Sequence, residues 1–193
     1  MAAGSRTKYA LDLNDAIAFP DGAHVPAFPP DEGESWIILL EIVRDTSVAR
    51  PSYQTRCKIG VPFVVALYTE TPLKDRDDLR YCSPGNVLCL TSARPKTFLD
   101  GSTGFRVEDA STIQALPVSL DQLKKINKDL CERSDKGQLE MCYNCNKPAQ
   151  NKCAGCRARY CSKDCQKAHW HAGHKRECKA VKALHVWNRT DWG

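Results

Sequence analysis

No part of this chain is apolar for long. The longest such runs, Trp36–Leu40 and Val61–Tyr68, fall far short of the roughly 20 residues that a membrane-spanning helix needs. Nothing behind the polar start Met1-Ala2-Ala3-Gly4-Ser5-Arg6-Thr7-Lys8 resembles the apolar stretch of a secretory signal. An intracellular, reducing setting, nuclear or cytoplasmic, is therefore expected, and with it free thiols in place of disulfides. Histidine is also scarce, since His24 is the only one of five outside the last 25 residues. Gly-x-Ser-x-Gly, Gly-x4-Gly-Lys-Ser/Thr and dinucleotide-binding patterns are missing, which removes the common hydrolase, nucleotide-triphosphatase and dehydrogenase readings. A non-enzymatic protein is the expectation.

What the chain does have is unevenly placed. Seven of its 11 cysteines lie between Cys142 and Cys178, with Cys57, Cys82, Cys89 and Cys131 scattered upstream. Charge divides in the same way. Residues 136–193 carry 12 Lys and Arg against 4 Asp and Glu, a formal +8, while residues 1–135 carry 16 against 19, a formal −3. Such a division suggests two units of different chemistry.

Residues 1–34 are dense in Pro, Gly and acid and read as an irregular, partly mobile lead-in. Residues 35–118 then present short runs rich in Val, Ile, Leu, Thr and Tyr: Trp36–Val43, Thr55–Gly60, Phe63–Thr69, Asn86–Ala93, and Gly104–Glu108 continuing into Thr112–Leu116. Pro72–Tyr81 lacks β-branched residues and suits a short helix. The resulting order, βββαββ, is what a small closed barrel of the oligonucleotide/oligosaccharide-binding (OB) type requires. Residues 84–101 also resemble the fourth strand of OB domains. Ser119-Leu120-Asp121-Gln122 is a capping-box pattern. Leu120, Leu123, Ile126 and Leu130 follow at near-helical spacing, which predicts a helix and linker over 119–138 with an apolar stripe against the barrel.

The cysteine-rich segment reads Cys142-x2-Cys145-x7-Cys153-x2-Cys156-x4-Cys161-x3-Cys165-x8-His174-x3-Cys178. Eight soft ligands fill two tetrahedra, and four protein ligands per ion is the usual structural zinc site. Cys161 and Cys165 are four apart, as are His174 and Cys178, so each pair suits one helical face. Sequential pairing would put both Cys-x2-Cys pairs on one ion across a seven-residue loop, shorter than the 12 or more residues usual in zinc fingers and ribbons. An interleaved cross-brace follows: Cys142, Cys145, Cys161 and Cys165 on one ion, Cys153, Cys156, His174 and Cys178 on the other. His169 and His171 rival His174, which alone stands four residues from Cys178. Two zinc ions and seven thiolates together lower the formal charge of this end by three, to about +5.

Cys-x2-Cys, Cys-x2-Cys, Tyr160-Cys161, Cys165-Gln166, Trp170 and His174-x3-Cys178 resemble a MYND zinc finger, over residues 139–180. The resemblance implies a protein-interaction module that takes short proline-containing peptides of a partner, with Gln166 and Trp170 as the contact. Four residues apart on one helix, they share a face. Some MYND proteins also carry a methyltransferase SET domain, but no Asn-His-x-Cys-x-Pro-Asn segment is present. Val181, Leu184, Trp187 and Trp192 continue at helical intervals into a helical tail over 181–193.

The competing reading is single-stranded nucleic-acid binding by the barrel, aided by the basic finger. Arg94, Lys96, Phe98 and Arg106 would supply the local patch, whereas Phe63 and Tyr68, in an apolar run, are expected in the core.

Overall fold

The structure is a computed structural model that describes residues 11–22, 24–29, 31–32, 35–69 and 79–187. These divide into two compact units, residues 13–123 and residues 124–187 with 11–12.

The first unit is β-rich. Strands β1 (Ile37–Asp45), β2 (Ser52–Cys57) and β3 (Pro62–Leu67) form an antiparallel meander. β4 (Val87–Thr91) pairs antiparallel with the other edge of β1. β5 (Lys96–Thr97) and β6 (Thr103–Val107) form a hairpin, and β6 runs parallel to β3. β7 (Ile113–Leu116) pairs antiparallel with β4. Only the 3-10 turn Ala110–Thr112 and two residues separate β6 from β7, so one short segment, 103–116, serves both the β3 and the β4 edges.

Alternation explains these strands. In β2 every second residue is buried, while β1 and β4 are apolar on both faces. Ile38, Leu40, Leu88, Leu90, Val65 and Phe105 are completely buried in one cluster. Phe63 joins it, its ring 5.1 Å from that of Phe105. Burial of each such side chain contributes roughly 1.5–3 kcal/mol.

Most expected strands are present within a few residues, and three details differ. The two-residue β5 was not anticipated. The expected helix at 72–81 lies outside the described residues except for Leu79–Tyr81, which is a 3-10 turn. Tyr68 is not core: it is half-buried, its ring lying between the guanidinium carbons of Arg50 at 3.8 Å and Arg106 at 4.0 Å. It sits just past the last core residue of β3, where Arg50 of the β1–β2 connection and Arg106 of β6 reach its ring.

The described part of the lead-in is irregular yet packed. Leu13 and Phe19 are buried at 2% and 1% exposure. Ile37 N donates to Ala18 O at 2.8 Å and Lys58 Nζ to Leu13 O at 2.9 Å. Apolar residues spaced without period in a Pro- and Gly-rich segment leave no helical or strand signature, so this packing escapes pattern analysis.

The helix α1 (Leu120–Asp135) begins on a buried carboxylate. Glu41 of β1 accepts from Leu120 N through Oε2 and from Arg56 Nη2 through Oε1, both at 2.8 Å. Arg56 is the cross-strand partner of Glu41. Ser119 Oγ accepts from Gln122 N at 3.2 Å, as the capping pattern predicts. The apolar stripe of α1 is divided: Leu120 and Leu123 belong to the β-rich unit, while Ile126 packs against the cysteine cluster. The stripe thus does not serve the β-rich unit alone.

The second unit contains the rest of α1, a two-residue hairpin of β8 (Asn151–Lys152) and β9 (Arg159–Tyr160), α2 (Lys163–His169), a π-turn at Trp170–His174 and α3 (Lys175–Trp187). The expected helical tail is α3 as far as Trp187, with Val181, Leu184 and Trp187 buried. Trp192 lies outside the described residues.

Candidate metal centre

Both Cys-x2-Cys pairs form the same local structure. Asn146 N donates to Cys142 O, and Arg157 N donates to Cys153 O, each at 2.9 Å. Asn146 and Arg157, one residue past each second cysteine, adopt positive φ of 56° and 67°. That left-handed step turns the chain back so that both thiols of a pair point to one side. At Gly155 a Cβ would sit 2.8 Å from Cys178 Sγ, so the second pair tolerates no larger residue there.

The later ligands are set by helix ends. Ser162 caps α2, its Oγ accepting from Cys165 N at 3.2 Å. Cys161 therefore stands just before the helix and only Cys165 lies within it, so the expectation of one shared helical face is corrected for this pair. The cap, not helical periodicity, brings the two sulfurs to 3.5 Å. After α2 the chain makes a π-turn and kinks at Gly173, whose φ of 153° disfavours any side chain. The kink delivers His174 to the start of α3, where Cys178 follows one turn later.

The result is two separate tetrads, Cys142, Cys145, Cys161 and Cys165 in one and Cys153, Cys156, His174 and Cys178 in the other, with all ligand atoms of each within 4.8 Å of one another. The interleaved pairing expected from loop length is the one observed. In the first tetrad Cys145 Sγ lies 3.5 Å from Cys161 Sγ and 3.8 Å from Cys165 Sγ. In the second, Cys153 and Cys178 sulfurs are 3.8 Å apart and Cys156 Sγ is 3.4 Å from His174 Nε2. Tetrahedral zinc with bonds of about 2.3 Å to sulfur and 2.0 Å to nitrogen places its ligands about 3.5–3.8 Å apart. The spacings fit zinc and are far too long for disulfides, and all 11 cysteines are free.

Electrostatics favour the thiolate at Cys142, Cys165 and Cys178, whereas hydrogen bonds with Cys165 and Cys145 push the Cys161 thiol up to about 12. Burial opposes ionisation of Cys142, but the backbone N–H groups of Cys161, Asn144 and Cys145 outweigh it and bring the thiol down to about 6. Hydrogen bonds from Cys156 and His174 bring Cys178 to about 4, and the same shared proton pushes Cys156 up. Asn144 Nδ2 also donates to Cys165 Sγ at 3.5 Å.

The neighbours of the ligands are less legible in the sequence. Arg133 of α1 is buried at 7% exposure and donates to Cys142 O at 3.3 Å and Asn146 Oδ1 at 3.1 Å. Its guanidinium lies 4.2 Å from the centroid of Tyr143. It thereby ties the helix to the first Cys-x2-Cys turn. His171 is exposed, as a non-ligand should be, but His169 is not simply solvated. Its Nδ1 shares a 2.8 Å hydrogen bond with the hydroxyl of fully buried Tyr160, and its ring stacks on His174 at 4.8 Å. Burial, then the nearby His174, holds its pKa low. No pattern in the sequence points to this supporting role.

Gln166 and Trp170 are both half-buried at the end of α2, where Trp170 N donates to Gln166 O. The indole meets the His174 ring edge-on with centroids 5.9 Å apart. In the β-rich unit, Arg94, Lys96 and Arg106 border a cavity of about 380 Å³. Phe98 departs from this patch, its ring covering Gly104.

Residues 142–178 match the MYND finger family. The same region is similar to ubiquitin carboxyl-terminal hydrolase 15 of Arabidopsis thaliana, 43% identical over 47 residues, and to ubiquitin C-terminal hydrolase 15 of Oryza sativa subsp. japonica, 40% identical over 47 residues. Those stretches are 24% of this chain and 5% of each hydrolase, so the likeness is confined to the finger. Among solved structures, Schizosaccharomyces pombe Pot1pC bound to single-stranded DNA covers 51% of this chain and 91% of its own, at 11% identity and a TM-score of 0.34. With its two interleaved tetrads spaced for structural zinc, residues 142–178 are a MYND finger, a module of protein interaction.

Proposed function

We propose that the chain is a non-enzymatic adaptor whose finger docks a short proline-containing peptide of a partner across Gln166 and Trp170. The observation that carries this reading is the pairing of a half-exposed indole with an amide one helical turn away, on a helix fixed at its start by the Ser162 cap and at its end by the metal ligand His174. A rigid aromatic beside a hydrogen-bonding amide suits an extended, proline-stiffened segment, which loses little entropy on binding. Closed tetrads leave no ligand position for water, which supports a structural and not a hydrolytic role for the zinc. Among the described residues no helix is long and apolar enough to cross a membrane.

The test is Trp170→Ala in the full chain. Zinc should remain at two per chain by elemental analysis, because His174 keeps its ligand geometry without the indole. Affinity for a proline-containing peptide, measured by calorimetry, should fall at least tenfold, as expected when an interface aromatic is removed. Loss of zinc, or unchanged affinity, refutes the role.

A second reading rests on the β-rich unit. We infer an OB-type barrel from its strand order: a three-strand meander, β4 on the free edge of β1, and the segment 103–116 running parallel to β3 before pairing with β4. Arg94, Lys96 and Arg106 around one cavity, with Tyr68 beside Arg106, give the kind of basic and aromatic surface that holds a single strand. Glu108 pairs with Arg106 at 2.6 Å and weakens that charge. Binding of a single-stranded oligonucleotide should therefore be modest and fall steeply between 50 and 200 mM salt, by about tenfold or more for three phosphate contacts. An absence of binding at 50 mM salt eliminates this reading.

A further inference from the structure

The finger has a basic recess that neither metal tetrad explains. It is a cavity of about 380 Å³, wholly within the second unit, whose lining includes Lys152, Arg157, Arg159 and Glu140 beside half-buried Leu139 and Tyr143. Neither Gln166 nor Trp170 borders it.

The charges here are arranged at a cost to the fold. Lys152 and Arg159 stand directly opposite each other on β8 and β9, and like charges in that position repel. Arg157, held at a φ of 67° by the second Cys-x2-Cys turn, brings a third cation to the same cavity. Against them stands Glu140, paired with Arg159. Among the described residues Lys152 and Arg157 have no acidic partner. An anion entering the cavity therefore relieves a repulsion that is built into the hairpin.

Two observations define that anion. Three cations less Glu140 leave a formal +2 around the cavity, and the whole basic end stays positive, at about +5, once two zinc ions and seven thiolates are counted. A phosphorylated side chain carries about −1.5 to −2 with three acceptor oxygens, whereas a carboxylate carries half that charge. The second observation is Glu140 itself. Its carboxylate already rests on Arg159, but at 72% exposure it is weakly held, and it marks where an incoming anion sits. A single recess with Leu139 and Tyr143 at its wall takes one side chain, while a nucleic-acid backbone needs a groove of cations that follows it.

We propose that this cavity receives a phosphoserine or phosphothreonine side chain of a partner polypeptide, its phosphate held by Lys152, Arg157 and Arg159 in place of Glu140. The site is separate from the Gln166–Trp170 surface and does not depend on peptide docking there.

The probe is the tripeptide acetyl-Gly-phosphoserine-Gly-amide, titrated at low salt into the zinc-loaded full chain and followed by NMR at the amides of Lys152, Arg157 and Arg159. Saturable shifts are expected, about tenfold weaker with glutamate in place of phosphoserine and absent with serine. Lys152→Gln and Arg157→Asn, the latter because asparagine tolerates a positive φ, should each weaken binding about tenfold while keeping two zinc ions. If one of the two loses zinc, the other decides. Glu140→Gln removes the competing carboxylate and should strengthen binding about threefold. Trp170→Ala should leave it unchanged. The proposal is overturned if serine and phosphoserine tripeptides shift these amides alike, if inorganic phosphate binds as tightly as the tripeptide, or if the zinc-loaded Lys152 and Arg157 variants bind like wild type. Tighter binding of a single-stranded oligonucleotide at the same amides would also overturn it.

Discussion

Chelation of both zinc ions under reducing conditions is expected to unfold residues 142–178 while leaving the β-rich unit folded. The reason lies in what the finger buries. Of the six buried apolar residues in its cluster, three are the ligands Cys142, Cys153 and Cys156, which leaves Ala158, Tyr160 and Val181. So small a core cannot offset the entropy of ordering some 40 residues. Structural zinc contributes on the order of 10–16 kcal/mol per site in finger peptides at neutral pH. The β-rich unit has no such dependence, since its core is closed by Ile38, Leu40, Leu88, Leu90 and Phe105 without metal. Amide NMR spectra checked against measured zinc content give the answer. Finger resonances should collapse to random-coil positions while those of β1–β4 persist, and dispersed finger resonances at zero zinc would contradict the account.

Single substitutions refine the same experiment. His174→Ala removes one corner of the second tetrad and should bring zinc from two per chain to one. His171→Ala should leave it at two, because that side chain is exposed and belongs to neither cluster.

A second large effect is expected far from the metal. Glu41→Ala should destabilise the β-rich unit by about 2 kcal/mol in urea unfolding followed by circular dichroism. Glu41 is 9% exposed, and its carboxylate caps Leu120 N at 2.8 Å. A hydrogen bond to a charged group contributes about 1.5–3 kcal/mol, and a carboxylate at a helix N-terminus adds a favourable dipole interaction. The ion pair with Arg56 adds little, because that guanidinium is 54% exposed and exposed pairs contribute at most about 1 kcal/mol. Arg56→Ala is thus the control and should cost under 1 kcal/mol. Equal losses in the two variants would move the stabilisation from the helix cap to the ion pair.

How far the site could be read in advance depends on the range of each interaction. The eight ligands, their division into two tetrads and the zinc they hold followed from spacing, because coordination geometry demands a particular set of atoms and short loops limit which can meet. The strands were legible from apolar alternation, and the Ser119 cap from its side chain and the Gln three residues on. Sequence marks His169 only as a rival to the ligand His174, since stacking on His174 and bonding to Tyr160 leave no mark on the order of residues. Cys161 was assigned to a helix because a four-residue interval fits a helical turn as well as it fits a capped entry.

By itself, then, the chain's residue order determined which atoms bind metal and where the apolar and basic segments fall, for both depend on neighbours within a few positions. Tertiary structure decided the rest. It put Glu41 under α1, 79 residues away in sequence, and laid Arg133 over the first Cys-x2-Cys turn. It held Tyr68 between two arginines and buried the Nδ1 of His174 without a hydrogen-bond partner. Each of these joins groups that become neighbours only when sheets and helices pack, and chain entropy leaves such distant pairings without any local sign.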